Sequence, residues 1–105
     1  MTVDIVVTRH SGLIEVLITD GYVSSDTPVI SHARVEDVKG KHVCGVLPLS
    51  LACHAASVTE VAMSIPQEMR GKELTAEQVR EFTLGMHTYT VKKENRDEHS
   101  QAVTQ

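Results

Sequence analysis

Val3-Asp4-Ile5-Val6-Val7-Thr8-Arg9-His10-Ser11-Gly12 is an apolar run that passes without a linker into a short polar turn. Residues 3 to 8 are nearly continuous and rich in β-branched side chains, the pattern of a strand buried on both faces of a parallel sheet. Ser11 reads as an N-cap. After it, Leu13, Ile14, Val16, Leu17 and Ile18 form a helical stripe that Asp20-Gly21 stops. A buried strand feeding a helix in this way delivers Thr8, Arg9, His10 and Ser11 to one sheet edge. The unpaired N–H groups of the helix point to the same place, so the turn reads as an anion-binding one.

Working outward, residues 27 to 32 carry a second, shorter strand signal, with Val29 and Ile30 after Pro28 and an end at Ser31-His32. Residues 33 to 41 read as a solvated connection with at most one helical turn. The strand signal returns at His42-Val43-Cys44-Gly45-Val46-Leu47 and stops at Pro48. Leu51, Ala52, Ala55, Ala56 and Val58 then recur at helical spacing, predicting a helix that starts near Leu49 or Ser50. Val61 to Ile65 is the next predicted strand, stopped by Pro66. The charged segment Gln67-Glu68-Met69-Arg70-Gly71-Lys72-Glu73 follows, and Thr75 with Gln78 carries a capping-box signature. Val79, Phe82 and Met86 mark one face of a third helix, and Thr88 to Val91 reads as an edge strand. Residues 92–105 read as a polar, disordered tail after a single domain over 1–91. The alternation predicts an α/β fold, a mostly parallel open sheet with flanking helices and right-handed crossovers. Ligands of such sheets gather at the carboxyl ends of the strands. That rule gathers Thr8 to Gly12, His32, Leu47 to Ser50 and the loop from Pro66 to Glu73 along one edge.

A chain of 105 residues builds one core but does not enclose an extended ligand alone, which makes oligomerisation an expectation. Aromatic residues are 3% of the sequence and Trp is absent, which argues against base-stacking platforms for single-stranded nucleic acid. The formal charge of −4 argues against a broad basic face for DNA or another long polyanion. Any phosphate ligand must be small and met by a local cluster of cations. No apolar run reaches the roughly 20 residues of a membrane helix. With no signal-peptide pattern, Cys44 and Cys53 read as packed thiols in a cytoplasmic protein.

Two readings of the opening turn stand side by side. Arg9 presents a planar fork of donors suited to a phosphate, and Ser11 with the amides after it suits an anionic oxygen. Equally, Arg9 can be an exposed loop charge and Ser11 only a cap. Arg70 and Lys72 supply a second positive pair on a loop assigned to the same edge, or a solvated turn. The six histidines are scattered and no H-E-x-x-H or C-x-x-C spacing is present, so no metal or other cofactor is expected. His10 and His32, at predicted strand ends, are the candidates for proton transfer.

Three blocks in one order resemble a family of small CRISPR-associated ancillary proteins of type III systems. They are Val7-Thr8-Arg9-His10-Ser11-Gly12-Leu13-Ile14-Glu15, Gly45-Val46-Leu47-Pro48-Leu49-Ser50-Leu51-Ala52, and the segment from Ile65 through Arg70-Gly71-Lys72-Glu73-Leu74 to Glu77. The connection around residues 19 to 41 and the tail match weakly. The resemblance implies a minimal Rossmann-like, CARF-like domain acting as a dimeric ring nuclease, which binds cyclic oligoadenylate, typically cyclic tetra-adenylate, and cuts it to linear products. Type III CRISPR signalling is thereby switched off. A homodimer with its site at the two-fold interface also answers the size problem.

On this reading Arg9, His10, Ser11 and Arg70 are the catalytic candidates. Thr8, Gly12, His32, Leu47, Pro48, Ser50 and Lys72 are the ligand-binding ones. The expected chemistry is metal-independent attack of a ribose 2′-hydroxyl on the adjacent phosphorus. The competing expectation is a protein that sequesters the messenger uncut, and a viral copy of such a protein would act in counter-defence.

Overall fold

In the computed structural model, which describes residues 2–94, the domain is a mixed α/β fold built on one five-stranded sheet. Its elements are β1 (Ile5–Val7), α1 (Ser11–Thr19), β2 (Val29–Ile30), α2 (Val35–Val38), β3 (His42–Gly45), α3 (Leu49–Ala52), β4 (Ser57–Met63), a short 3-10 turn (Gln67–Met69), α4 (Ala76–Phe82) and β5 (Thr83–Tyr89). The strand order is β2-β1-β3-β4-β5. All neighbours are parallel except β4 and β5, so the sheet is open and mostly parallel with an antiparallel edge.

β1 earns its place by composition. Ile5, Val6 and Val7 are all buried, and alternate side chains enter opposite cores. Ile5 and Val7 join Val43, Val58, Val38 and Ala52 on the face covered by α2 and α3, whereas Val6 joins Cys44, Leu13, Leu17, Leu74 and Val79 under α1 and α4. Both backbone edges of β1 are paired: Val6 and Thr8 donate to Pro28 and Ile30 of the β2 side, and Asp4 donates to His42 at 2.8 Å on the β3 side. Each fully buried Leu or Val contributes about 2 kcal/mol through removal from water. α1 ends where expected, with Asp20 as C-cap and Gly21 in the left-handed region at φ 83°. α4 carries the predicted capping box, Thr75 Oγ1 accepting from Gln78 N–H and Thr75 N–H donating to Gln78 Oε1. The two helices are clamped by Arg80, whose guanidinium donates to both oxygens of Asp20.

Several boundaries differ from the sequence expectation. Ser11 is not the N-cap of α1: that position falls to His10, and Ser11 opens the helix with its side chain turned to a distant loop. β2 keeps only Val29–Ile30 of the predicted 27 to 32. β3 stops at Gly45 instead of continuing to Leu47. The helix after Pro48 is a single turn closed at Cys53, because Ala56 N–H is drawn to Lys41 O at 2.8 Å beside β3. Val58 therefore lies on β4, which begins at Ser57, not at Val61. Met86 also changes element. α4 ends at Phe82 and β5 starts at once, so Met86 meets the same core from the strand, opposite Val61. A helix-to-strand junction preserves an apolar spacing of three or four, which periodicity alone assigns to one helix. Of the expected tail, residues 95–105 lie outside the described residues, and 92–94 form no regular element.

Gly45 is the tightest point of the sheet. A Cβ there would fall 2.1 Å from Val7 O, and its φ of 144° is one that side-chain-bearing residues rarely adopt. Gly45→Ala should therefore cost about 3 kcal/mol or more, combining overpacking with backbone strain. Gly21→Ala, left-handed but facing open space, should cost about 1 kcal/mol. Urea denaturation midpoints of the two variants check the order.

Candidate functional site

The chain runs from β1 through α1 to β2 on one side, then crosses to β3 on the other side of β1. That reversal places a topological switch point at the carboxyl ends of β1 and β3, where a crevice is expected. A cleft of about 360 Å³ opens there. Its rim is polar, with Thr8, Arg9, His10 and Ser31, and its walls are Val7, Leu13, Gly45, Val46, Val61, Met63 and Ile65. Among the described residues no carboxylate lines it. In a chain with a net charge of −4, the charged side chain at this cleft is an arginine.

The turn that carries Arg9 is fixed locally. Thr8 N–H is tied to Ile30 O, and Thr8 Oγ1 accepts His10 N–H at 3.1 Å, a side-chain turn that holds Arg9 between them. Arg9 Nη2 donates to His32 Nε2 at 3.2 Å. A guanidinium only donates, so His32 Nε2 is the acceptor in this contact. Among the four described arginines, Arg34 and Arg80 are paired with carboxylates. Arg9 is bonded to a histidine, and Arg70 has no ion pair among the described residues. Lys72 likewise has none, and both it and Arg70 are exposed on the loop that leaves the cleft wall at Ile65.

Not all the expected residues converge. Ser11 and Gly12 face a neighbouring depression of about 460 Å³ together with Glu15, Glu73 and Glu77, so this side of the turn is acidic. Ser11 donates both its N–H (3.2 Å) and its hydroxyl (2.6 Å) to Glu73 Oε2. The anion at the start of α1 is thus one of the chain's own carboxylates. Leu47 lies on the other side of the sheet edge, lining an apolar groove of about 390 Å³ with Leu49, Ala52, Val58, Tyr89 and Val91. Pro48 and Ser50 are exposed beside it. Gly45 and Val46 line both cleft and groove. Sequence reading passed over Glu73. Its signal was faint: one acid closing a basic run, directly before a leucine that turns out to be buried.

Elsewhere, His42 Nδ1 lies 2.7 Å from Ser57 Oγ at the opposite, amino-terminal end of the strands, with Ser57 itself buried. Cys44 is fully enclosed, and burial pushes its thiol up to about 11, which leaves it unreactive. Cys53 is also a free thiol. Among the described residues no group of three or more His, Cys, Asp or Glu side chains could hold a metal ion. No helix among them is long and apolar enough to cross a membrane.

A family described as "Putative CRISPR-associated protein (Cas_VVA1548)" matches residues 5–92. The chain belongs to this CRISPR-associated family. The match takes in every strand and helix described above, together with the cleft and the loop of Arg70 and Lys72. No curated protein and no solved structure matches the chain.

The Ser11 bonds hold the carboxyl group of Glu73 below the ordinary glutamate value of 4.5, with the charge of His10 acting in the same direction. A depressed folded value means that the contact contributes above the unfolded pKa and is lost as pH falls through the folded one. The Ser11 amide proton resonance should therefore titrate with a midpoint below 4.5. A midpoint at the ordinary value would mean that the contact is not formed in solution.

Proposed function

We propose that this CRISPR-associated protein is a ring nuclease that binds cyclic oligoadenylate, cyclic tetra-adenylate first, and cleaves it to linear products. The observation that carries the reading is the cleft at the switch point, which among the described residues is lined by no carboxylate and carries an arginine without an acidic partner. A phosphodiester suits this rim. The apolar floor of Val61, Met63 and Ile65 suits a base or ribose edge. The resemblance of the Val7–Glu15, Gly45–Ala52 and Ile65–Glu77 blocks supplies the messenger class.

Cleavage needs no protein nucleophile. The ribose 2′-hydroxyl attacks the adjacent phosphorus, its proton passes to a base, the bond from phosphorus to O5′ breaks, and O5′ takes up a proton. Atoms balance without a co-reactant, leaving a 2′,3′-cyclic phosphate and a 5′-hydroxyl. Arg9 neutralises the phosphoryl oxygens, where fixed donors act most strongly as charge develops. His10 is the proton-transfer group. Arg70 and Lys72 reach phosphates outside the cleft from their exposed loop. His32 holds Arg9. With its own donors committed to Glu73, Ser11 acts through the loop and not on phosphate.

A cleft of this volume is at the small end for a ligand site and takes one nucleotide unit, not a ring. A homodimer that sets two clefts side by side resolves the mismatch, and the two-fold symmetry of the ring favours it. The contact surface that suits it is the apolar groove, flanked by Val46 and Leu49, which are 72% and 74% exposed. Patches of this kind on a small protein mark association sites.

Arg9→Ala should abolish cleavage of radiolabelled cyclic tetra-adenylate, a loss of at least about 100-fold. Unchanged turnover would remove the turn from the site. Recovery of the intact ring after long incubation with excess wild-type protein would replace cleavage by sequestration. Leu49→Glu, at an exposed position, should leave the fold intact, convert the dimer to monomer in sedimentation equilibrium and lower cleavage in parallel. A variant that stays dimeric would move the interface elsewhere.

A further inference from the structure

Between Ile65 on the cleft wall and Leu74 in the core, the loop that carries Arg70 and Lys72 is held mostly by its own turns. Met69, Arg70 and Lys72 donate to carbonyls only three residues back. Apart from Met69, which packs against the core under α1 and α4, its ties to the rest of the molecule converge on two adjacent residues of α1. Ser11 gives two hydrogen bonds to Glu73, across 62 positions of sequence. Gly12 gives space: a Cβ there would fall 2.3 Å from Leu74 O, so only glycine lets this backbone approach. Leu74 is buried beside Leu13 and Val79. The pair Ser11-Gly12 thus receives the pair Glu73-Leu74 one residue against one.

We propose that Glu73 is a positioning residue, a clasp that fixes the Arg70 and Lys72 loop against the first turn of α1. It does not touch the ligand. One carboxylate oxygen accepts both donors of Ser11, which fixes the chain direction at residue 73. Arg70 lies three residues earlier and Lys72 one, so the clasp sets how far their cations extend past the rim. Met69 and Leu74 pack against the same core, but Arg70, Gly71 and Lys72 between them are exposed, and the Glu73 bonds are what tie this stretch to α1. The division of the turn follows from this: Thr8, Arg9 and His10 face the cleft, and Ser11 and Gly12 serve the loop.

The proposal rests on the nuclease reading for its ligand, and two independent measurements separate the two. The first uses the protein alone. Trypsin cleavage at Arg70-Gly71 should run about tenfold faster in Glu73→Ala than in the wild type, because the loop opens locally. Glu73→Gln keeps an acceptor oxygen and should stay near the wild-type rate. The second uses cyclic tetra-adenylate: Glu73→Ala should raise KM about tenfold with kcat within about twofold, and Glu73→Gln should restore most of the loss. Equal proteolysis of all three proteins overturns the clasp, and so does faster proteolysis with an unchanged KM. A wild-type protein inert toward the ring overturns the nuclease reading alone, and the proteolysis comparison still decides the clasp. Should Glu73→Ala fail to fold, Ser11→Ala deletes the 2.6 Å bond and keeps the 3.2 Å one, giving the same comparison at smaller amplitude.

Discussion

Strand β1 is paired along both edges and covered on both faces, and that constraint organises the other elements. Because Val6 is turned to one core and Ile5 and Val7 to the other, helices are required above and below the sheet. The chain meets this by sending α1 over one face on its way to β2, then α2 and α3 over the other on its way to β3 and β4. A strand from which the chain departs in both directions leaves its carboxyl end uncovered by any crossover. The cleft is the space so left, and Thr8 to His10 lie in it because they follow Val7.

Charge distribution sharpens what that space can hold. The chain is acidic overall, yet among the described residues no carboxylate lines the cleft, and four are engaged elsewhere: Asp20 on Arg80, Glu36 and Asp37 on Arg34, Glu73 on Ser11. Arg9 escapes this pairing. Its partner, His32, takes a hydrogen bond without neutralising the charge, so the guanidinium stays available to an incoming anion. A protein of this net charge has no long-range attraction for nucleic acid. On the proposed function, recognition is then local and suited to a few phosphates.

Much of this was legible in the sequence where the causes are local. A β-branched run, a stop at Asp20-Gly21 and the Thr75 and Gln78 capping box depend on neighbours within four residues, and each formed where its pattern lay, although the strand keeps only Ile5–Val7 of residues 3 to 8. Where two elements meet without a loop, as at Phe82 and Thr83, apolar spacing continued unbroken and concealed the change from helix to strand. The site divided in the same way. Its cleft residues followed from strand position, but successive helical residues turn by about 100°, which carries Ser11 and Gly12 round to a different side. Their true partners are about 60 positions distant, and nothing near them in sequence marks it.

Gly45 joins the two surfaces on which the functional reading depends. Its missing side chain lets β3 lie against Val7 at the switch point, and the same backbone forms part of the cleft wall and of the apolar groove on the opposite face. Val46 follows it with most of its surface exposed, although its neighbours Cys44 and Gly45 are buried. A chain that buries β1 so completely has no need of an apolar side chain there. In the proposed dimer this surface is covered when two copies meet, and any contact at Val46 then bears directly on the shape of the cleft beside Arg9. Assembly and ligand binding are in that case coupled through one β-strand end, with no relay of intervening side chains required.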